Sequence, residues 1–166
     1  MKQMAVIGAG TMGNGIAHVF AQHNWQVTLI DVNSEQLEKA VATIKKNLER
    51  MQAKGTLTAQ QVSDTLQNIA TQTSLAEGVR EATLVVEAAT ENKEVKLALF
   101  KALDAAAPAH CVLATNTSSI PIQTIAAATQ RPEKVIGMHF MNPVPVMKLV
   151  EIITTPQTEK VVTEQI

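Results

Sequence analysis

The segment that most restricts this chain is Gly8-Ala9-Gly10-Thr11-Met12-Gly13. It follows the apolar run Gln3 to Ile7 directly and opens a helical pattern through Ile16, Ala17, Val19 and Phe20. A strand that turns on glycines into a helix is the start of a dinucleotide-binding βαβ unit. The first glycine permits the tight turn, the second lets backbone approach a pyrophosphate, and the third lets helix and strand pack closely. The helix N-terminus then offers free N–H groups and a positive dipole end to phosphates. Glycine-rich turns also arise for structural reasons alone, so the weight falls on context. The second apolar run, Gln26 to Asp31, ends in a carboxylate 18 positions past Gly13, close to the ~20 expected for ribose recognition. A carboxylate there accepts hydrogen bonds from the ribose hydroxyls and repels a 2′-phosphate. The following Val32-Asn33-Ser34 supplies no Arg to neutralise one, which favours NAD over NADP.

The rest of the chain continues the alternation of short apolar runs with helical periods that gives parallel strands and crossover helices. Further strands are expected at Ile69 to Thr71, Leu84 to Glu87, Cys111 to Thr115, Val135 to Met138 and Leu149 to Ile153. The fold class is α/β, a Rossmann-type doubly wound and mostly parallel sheet. Between the second and third strands, Leu37, Val41, Ile44, Leu48 and Met51 repeat at steps of four and three, one face of a helix. Lys39, Lys46, Arg50 and Lys54 fall on roughly the opposite face. Gly55 stops that helix, and Thr58 with Gln61 forms a capping box for a second. The pair should make a projecting helical hairpin.

At 166 residues and 46% hydrophobic, the chain suits one domain spanning 1–166. A net charge of -1 with 17% charged residues lacks the basic excess of a nucleic-acid binder. Neither a signal-peptide core nor a stretch of spanning length is visible. The single cysteine, Cys111, lies in an apolar run and reads as a buried structural thiol. A soluble, cytoplasmic setting and a small-molecule ligand are expected, with no nucleic-acid or membrane partner. The closing Val161-Val162-Thr163-Glu164-Gln165-Ile166 resembles the opening of a helix, which suggests truncation.

Three blocks carry a more specific likeness: Val86-Glu87-Ala88-Ala89-Thr90-Glu91-Asn92, Asn116-Thr117-Ser118-Ser119 and the run from Gly137-Met138-His139-Phe140-Met141-Asn142-Pro143 to Glu151. Together with the glycine turn, they resemble the L-3-hydroxyacyl-CoA dehydrogenase family in the same order. The resemblance covers essentially the whole chain as that family's NAD-binding domain. It implies NAD as cofactor, with Gly8, Ala9, Gly10, Thr11, Met12, Gly13, Asp31, Glu91, Lys96, Ser118 and Asn142 as cofactor contacts. It also implies His139 as catalytic base, Glu151 as its partner, and Ser118 on the substrate oxygen. The hairpin resembles the element that contacts coenzyme A, with Lys54 matching the family lysine and Asn47 standing where relatives can carry serine.

Chemistry asks for a His–carboxylate pair independently. Oxidising a secondary alcohol requires a base for the hydroxyl proton, and histidine exchanges protons near neutral pH. A carboxylate on the other ring nitrogen fixes the tautomer and stabilises the imidazolium. Pro143 and Pro145 prevent a continuous helix between His139 and Glu151, so a strand, loop, strand return should bring them together. Competing readings stand beside several residues. Ser118 or Ser119 could cap the helix that starts near Pro121; Lys96 alone would be a solvated surface charge; the basic row could be the wet side of its helix. His18, His23 and His110 receive no role, and no metal-ligand spacing is seen.

The implied activity is NAD-dependent oxidation of an L-3-hydroxyacyl-CoA, such as 3-hydroxybutyryl-CoA, to the 3-oxoacyl-CoA. Alternatives are a superfamily dehydrogenase of a free hydroxy acid and a noncatalytic NAD-binding module. Members of the family continue into a helical domain that covers the nicotinamide and are homo-oligomeric. The chain alone is therefore expected to bind NAD but to catalyse poorly.

Overall fold

Alternating apolar residues divide the sheet between two cores. The computed structural model describes residues 2–166. Its strands are β1 (Gln3–Ile7), β2 (Gln26–Ile30), β3 (Ile69–Gln72), β4 (Leu84–Glu87), β5 (Val112–Thr115), β6 (Val135–Phe140) and β7 (Val150–Ile153), in spatial order β3-β2-β1-β4-β5-β6-β7. All neighbours pair in parallel except β6 and β7, which are antiparallel. The order reverses between β1 and β4, the switch point where a crevice opens at the carboxyl ends of the strands.

Met4 and Val6 of β1 face a core shared with α1 (Thr11–Gln22), α2 (Ser34–Ala53), α3 (Ala59–Gln67) and Val162 of α7 (Lys160–Gln165). Ala5 and Ile7 face the other core, built with α4 (Leu75–Val79), α5 (Lys93–Ala106) and α6 (Ile122–Ala126). This is the doubly wound architecture, helices on both faces of one sheet. β1 and β4 have the expected bounds, and the other strands differ from expectation by one or two residues at one end. The largest change is in β6, which continues to Phe140 because β7 pairs along it, so His139 lies within a strand.

The α2–α3 hairpin forms where its periodicity placed it and is rooted in the first core. Leu37, Ile44 and Leu48 of α2 are buried beside Leu57 and Val62, while Val41 and Met51 are half-buried. Truncating Ile44 or Leu48 to Ala would cost about 2–5 kcal/mol. Gly55 has φ +73° and closes α2. Thr58 Oγ1 accepts from Gln61 N while Gln61 Oε1 accepts from Thr58 N, a complete capping box. Among the described residues, no helix is long and apolar enough to cross a membrane.

Candidate functional site

The glycine turn has the strain and the space that its sequence requires. Gly8 has φ +96°, and a Cβ on it would come within 2.7 Å of the Ala88 carbonyl oxygen. A side chain on Gly13 would drive into the Gly8 carbonyl. A Cβ on Gly10, by contrast, would meet nothing within 4 Å. Gly10 is also the N-cap of α1, with no side-chain cap bond and no acidic residue in the first turn. The first N–H groups of α1 therefore have no side-chain cap and the space beside Gly10 is open, an arrangement that can accept an anion. These features fit the pyrophosphate of a dinucleotide.

Asp31 stands one residue past β2. Its Oδ2 accepts from Ala9 N at 2.8 Å and its Oδ1 from Asn33 N at 3.0 Å, which pins the carboxylate beside the turn. Each oxygen retains acceptor capacity for a hydroxyl. Gln36 Nε2 donates to the Ala9 carbonyl at 3.2 Å and ties α2 to the same turn. Gln36 was not singled out from sequence, because a first-turn glutamine carries no periodic signal.

A second cluster lies at the carboxyl edge, around a cavity of about 360 Å³ that Met12 of the glycine turn shares with Glu91, Lys96, Asn116, Ser118 and His139. Antiparallel pairing sets His139 directly opposite Glu151. His139 Nδ1 lies 2.8 Å from Glu151 Oε2, as the strand, loop, strand reading required. The connection between them carries a cis Asn142–Pro143 peptide bond. Asn116 Oδ1 accepts from Phe140 N at 2.9 Å and joins the β5 end to the strand that holds His139. Ser118 is exposed at the cavity wall. Neither Ser118 nor Ser119 caps the next helix, whose N-cap is Pro121.

Lys96 is not a solvated charge. It is 1% exposed, and its ammonium donates to Glu87 Oε1 at 2.7 Å and lies 3.4 Å from Glu91 Oε2. Glu87 is itself 0% exposed and also accepts from Ala89 N and from Thr115 Oγ1. Glu91 accepts from the hydroxyls of Thr117 and Ser119. Burial works against its charge, but those hydrogen bonds and the Lys96 ammonium outweigh it and hold the carboxyl below its ordinary value. A carboxylate ending an otherwise apolar strand was the available signal for Glu87. The shared helical face of Lys96, Phe100 and Leu103 was the signal for Lys96.

A smaller cavity of about 270 Å³ lies between the start of α1, α2 and the 142–145 segment, with Asn47 and Lys39 on its wall. Lys54 is exposed at the C-cap of α2 and does not line it. Asn142 lines both cavities. A Cβ on Gly15 would come 2.8 Å from Val144 Cβ, so a further glycine seats α1 against this segment. His18 is buried, bonded through Nε2 to Gln22 Oε1 at 3.1 Å, with Nδ1 unpartnered among the described residues. His23 binds the Val19 carbonyl, and His110 is exposed. Burial pushes the Cys111 thiol up to about 12. Among the described residues, no group of three or more His, Cys, Asp or Glu is placed to hold a metal ion.

Comparison with known proteins adds independent findings. The family model described as 3-hydroxyacyl-CoA dehydrogenase, NAD binding domain, matches residues 3–166. A probable 3-hydroxybutyryl-CoA dehydrogenase of Bacillus subtilis (strain 168) is 48% identical over 153 residues, 92% of this chain and 53% of the relative. A 3-hydroxyadipyl-CoA dehydrogenase of Escherichia coli (strain K12) is 45% identical over 166 residues, 100% of this chain and 35% of the relative. The crystal structure of 3-hydroxybutyryl-CoA dehydrogenase from Escherichia coli K12 superposes with a TM-score of 0.96 at 46% identity, covering 99% of this chain and 34% of that one. The chain thus spans about a third to a half of the length of these relatives.

Proposed function

The chain belongs to the 3-hydroxyacyl-CoA dehydrogenase family as an NAD-binding domain, and from that premise we propose that it serves the NAD-dependent oxidation of an L-3-hydroxyacyl-CoA to the 3-oxoacyl-CoA. The observation that carries this reading is the His139–Glu151 pair at 2.8 Å, with His139 on the wall of a cavity that reaches the glycine turn. When bound, NAD supplies the hydride acceptor.

The residues of the chain supply the rest. Gly8, Gly10 and Gly13 with the N–H groups of Thr11 and Met12 seat the pyrophosphate, and Asp31, held by the Ala9 N–H, takes the adenosine ribose. Glu91, Lys96 and Asn142 border the nicotinamide end. With Nδ1–H donating to Glu151, the Nε2 lone pair of His139 accepts the proton of the 3-hydroxyl, and the Glu151 carboxylate stabilises the resulting imidazolium. Ser118 hydrogen-bonds the reacting oxygen. Asn47 of α2 and Lys54 at its C-cap are seven residues apart, about 10 Å along the helix axis, a span suited to the nucleotide end of coenzyme A. The remaining length of the relatives is proposed to complete the acyl-CoA side of the cleft and to support a homo-oligomer. A reducing, cytoplasmic setting suits the buried thiol of Cys111.

The test is to titrate the chain with NAD+ and NADP+ and to assay 3-hydroxybutyryl-CoA against free 3-hydroxybutyrate. Tighter binding of NAD+, a gap narrowed by Asp31→Ala, and preference for the thioester in the protein carrying this domain are expected. The chain alone should turn over poorly, since lost orientation is worth up to roughly 7–11 kcal/mol of barrier. Equal affinity for the two cofactors would overturn the role of Asp31, and preference for the free acid would overturn the substrate.

A further inference from the structure

Glu87 closes β4 with its side chain wholly enclosed, a rare place for a carboxylate. Among the described residues, every polar partner of its carboxylate is a donor: Ala89 N–H, the Thr115 hydroxyl and the Lys96 ammonium. Lys96 in turn separates Glu87 from Glu91, which faces the carboxyl-edge cavity and is 43% exposed at its side chain. Among the described residues, Lys96 is the one lysine or arginine on that cavity wall. Were Lys96 unpaired, the wall would present a positive charge. Two carboxylates against one ammonium instead leave one net negative charge, and its most exposed member is Glu91.

The sign of that charge matters for a nicotinamide. The ring carries a positive charge when oxidised and none when reduced, so the two cofactor forms differ in their interaction with any fixed charge nearby. We propose that Glu87, Lys96 and Glu91 act as one charge-setting unit. Glu87 cancels the Lys96 ammonium from behind, and Glu91 is left as a net negative charge that favours the oxidised cofactor over the reduced one. Glu87 is thus a positioning residue that touches neither substrate nor cofactor. The inference rests on the reading above that places the nicotinamide at the carboxyl-edge cavity.

The experiment measures affinities for NAD+, NADH and ADP-ribose, which lacks the nicotinamide, on the wild-type chain, Glu87→Gln, Glu91→Gln and the double variant Glu87→Gln/Lys96→Met. Each single variant removes one negative charge and should shift the NADH-to-NAD+ affinity ratio towards NADH by roughly tenfold, the scale of one charge acting across a partly solvated site. ADP-ribose affinity should hold within about twofold, far below a tenfold effect. The double variant restores the net charge and should return the ratio towards wild type. Should Glu87→Gln fail to fold, Glu91→Gln removes the same unit of charge from the exposed end and reads the same ratio. Equal weakening of all three ligands, or a ratio unmoved by either single variant, would overturn the proposal while leaving the cofactor site intact. A wild-type chain that binds ADP-ribose but discriminates neither nicotinamide form would overturn it too, and one that binds none of the three would overturn the cofactor site first.

Discussion

Two acid–base pairs stand at the carboxyl edge of the sheet with nearly the same length, 2.7 Å for Lys96–Glu87 and 2.8 Å for His139–Glu151. Their settings are opposite. The first pair is 1% and 0% exposed; the second is 25% and 52% exposed. In the first, both groups have lost their water: Glu87 is held by Lys96 and by hydrogen bonds donated by Ala89 N and Thr115 Oγ1, and Lys96 by Glu87 and the neighbouring Glu91 carboxylate. Removing Lys96 would leave Glu87 enclosed without a counterion. In the second, water screens the attraction, and geometry comes from strand pairing more than from charge. A short contact therefore does not say what a pair is for. Enclosure makes one pair part of the fold, and access leaves the other open to solvent and to the cavity.

The largest expected effect separates function from folding at the exposed pair. In the protein that carries this domain, His139→Gln should slow turnover by about 10²- to 10⁴-fold, the usual worth of a general base, while its unfolding midpoint stays near wild type. A variant with normal turnover would break the functional half of the comparison. At the buried pair, Lys96→Met should cost about 3–5 kcal/mol of stability, because Glu87 is left enclosed without its counterion. Urea unfolding measures this, and a cost below about 1 kcal/mol would place the pair with ordinary surface bridges. Glu151→Gln should cost less than about 1 kcal/mol of stability, as expected for a solvent-screened pair, yet alter the pH profile of turnover.

The smallest effect concerns His18, which is buried like Lys96 but faces no counterion in its hydrogen bonding. Burial lowers its pKa from 6.5, although the Gln22 bond works the other way. Below 6.5 the unfolded chain takes up a proton that the folded chain resists, so stability is full above that pH and is lost as pH falls towards the folded value. The loss cannot exceed about 1.4 kcal/mol per pH unit for one group. Unfolding followed between pH 7 and 5.5 should show a shallower decline in His18→Leu than in wild type; identical slopes would mean that burial without a counterion is harmless here.

Much of this arrangement is legible in the chain. The glycine turn, Asp31, the Thr58–Gln61 cap and the return that brings Glu151 to His139 all depend on local rules: turn geometry, capping chemistry and strand alternation. What escapes those rules is burial decided by tertiary packing. Lys96 reads as surface when judged by residue type alone, and only its place on the face of Phe100 and Leu103 betrays it. Glu87 needs the counterion to be known before its position makes sense. Gly15 needs Val144, which is 129 positions away in sequence, to explain its missing side chain. Ser119 escaped because its bond is to Glu91 rather than to the helix that follows it.

The pairing of β6 with β7 carries one more consequence. Gly137 lies opposite Ile153, where a Cβ would approach the Ile153 Cβ to 2.9 Å. Sliding β7 by one position would bring a different residue against that gap and turn Glu151 to the other face of the sheet. The contact between His139 and Glu151 is thus a matter of parity. The segment from 141 to 149 can change length and leave the pair intact, provided that β7 returns in step, whereas β7 pairing one position out of step would part them with every side chain of the site still present.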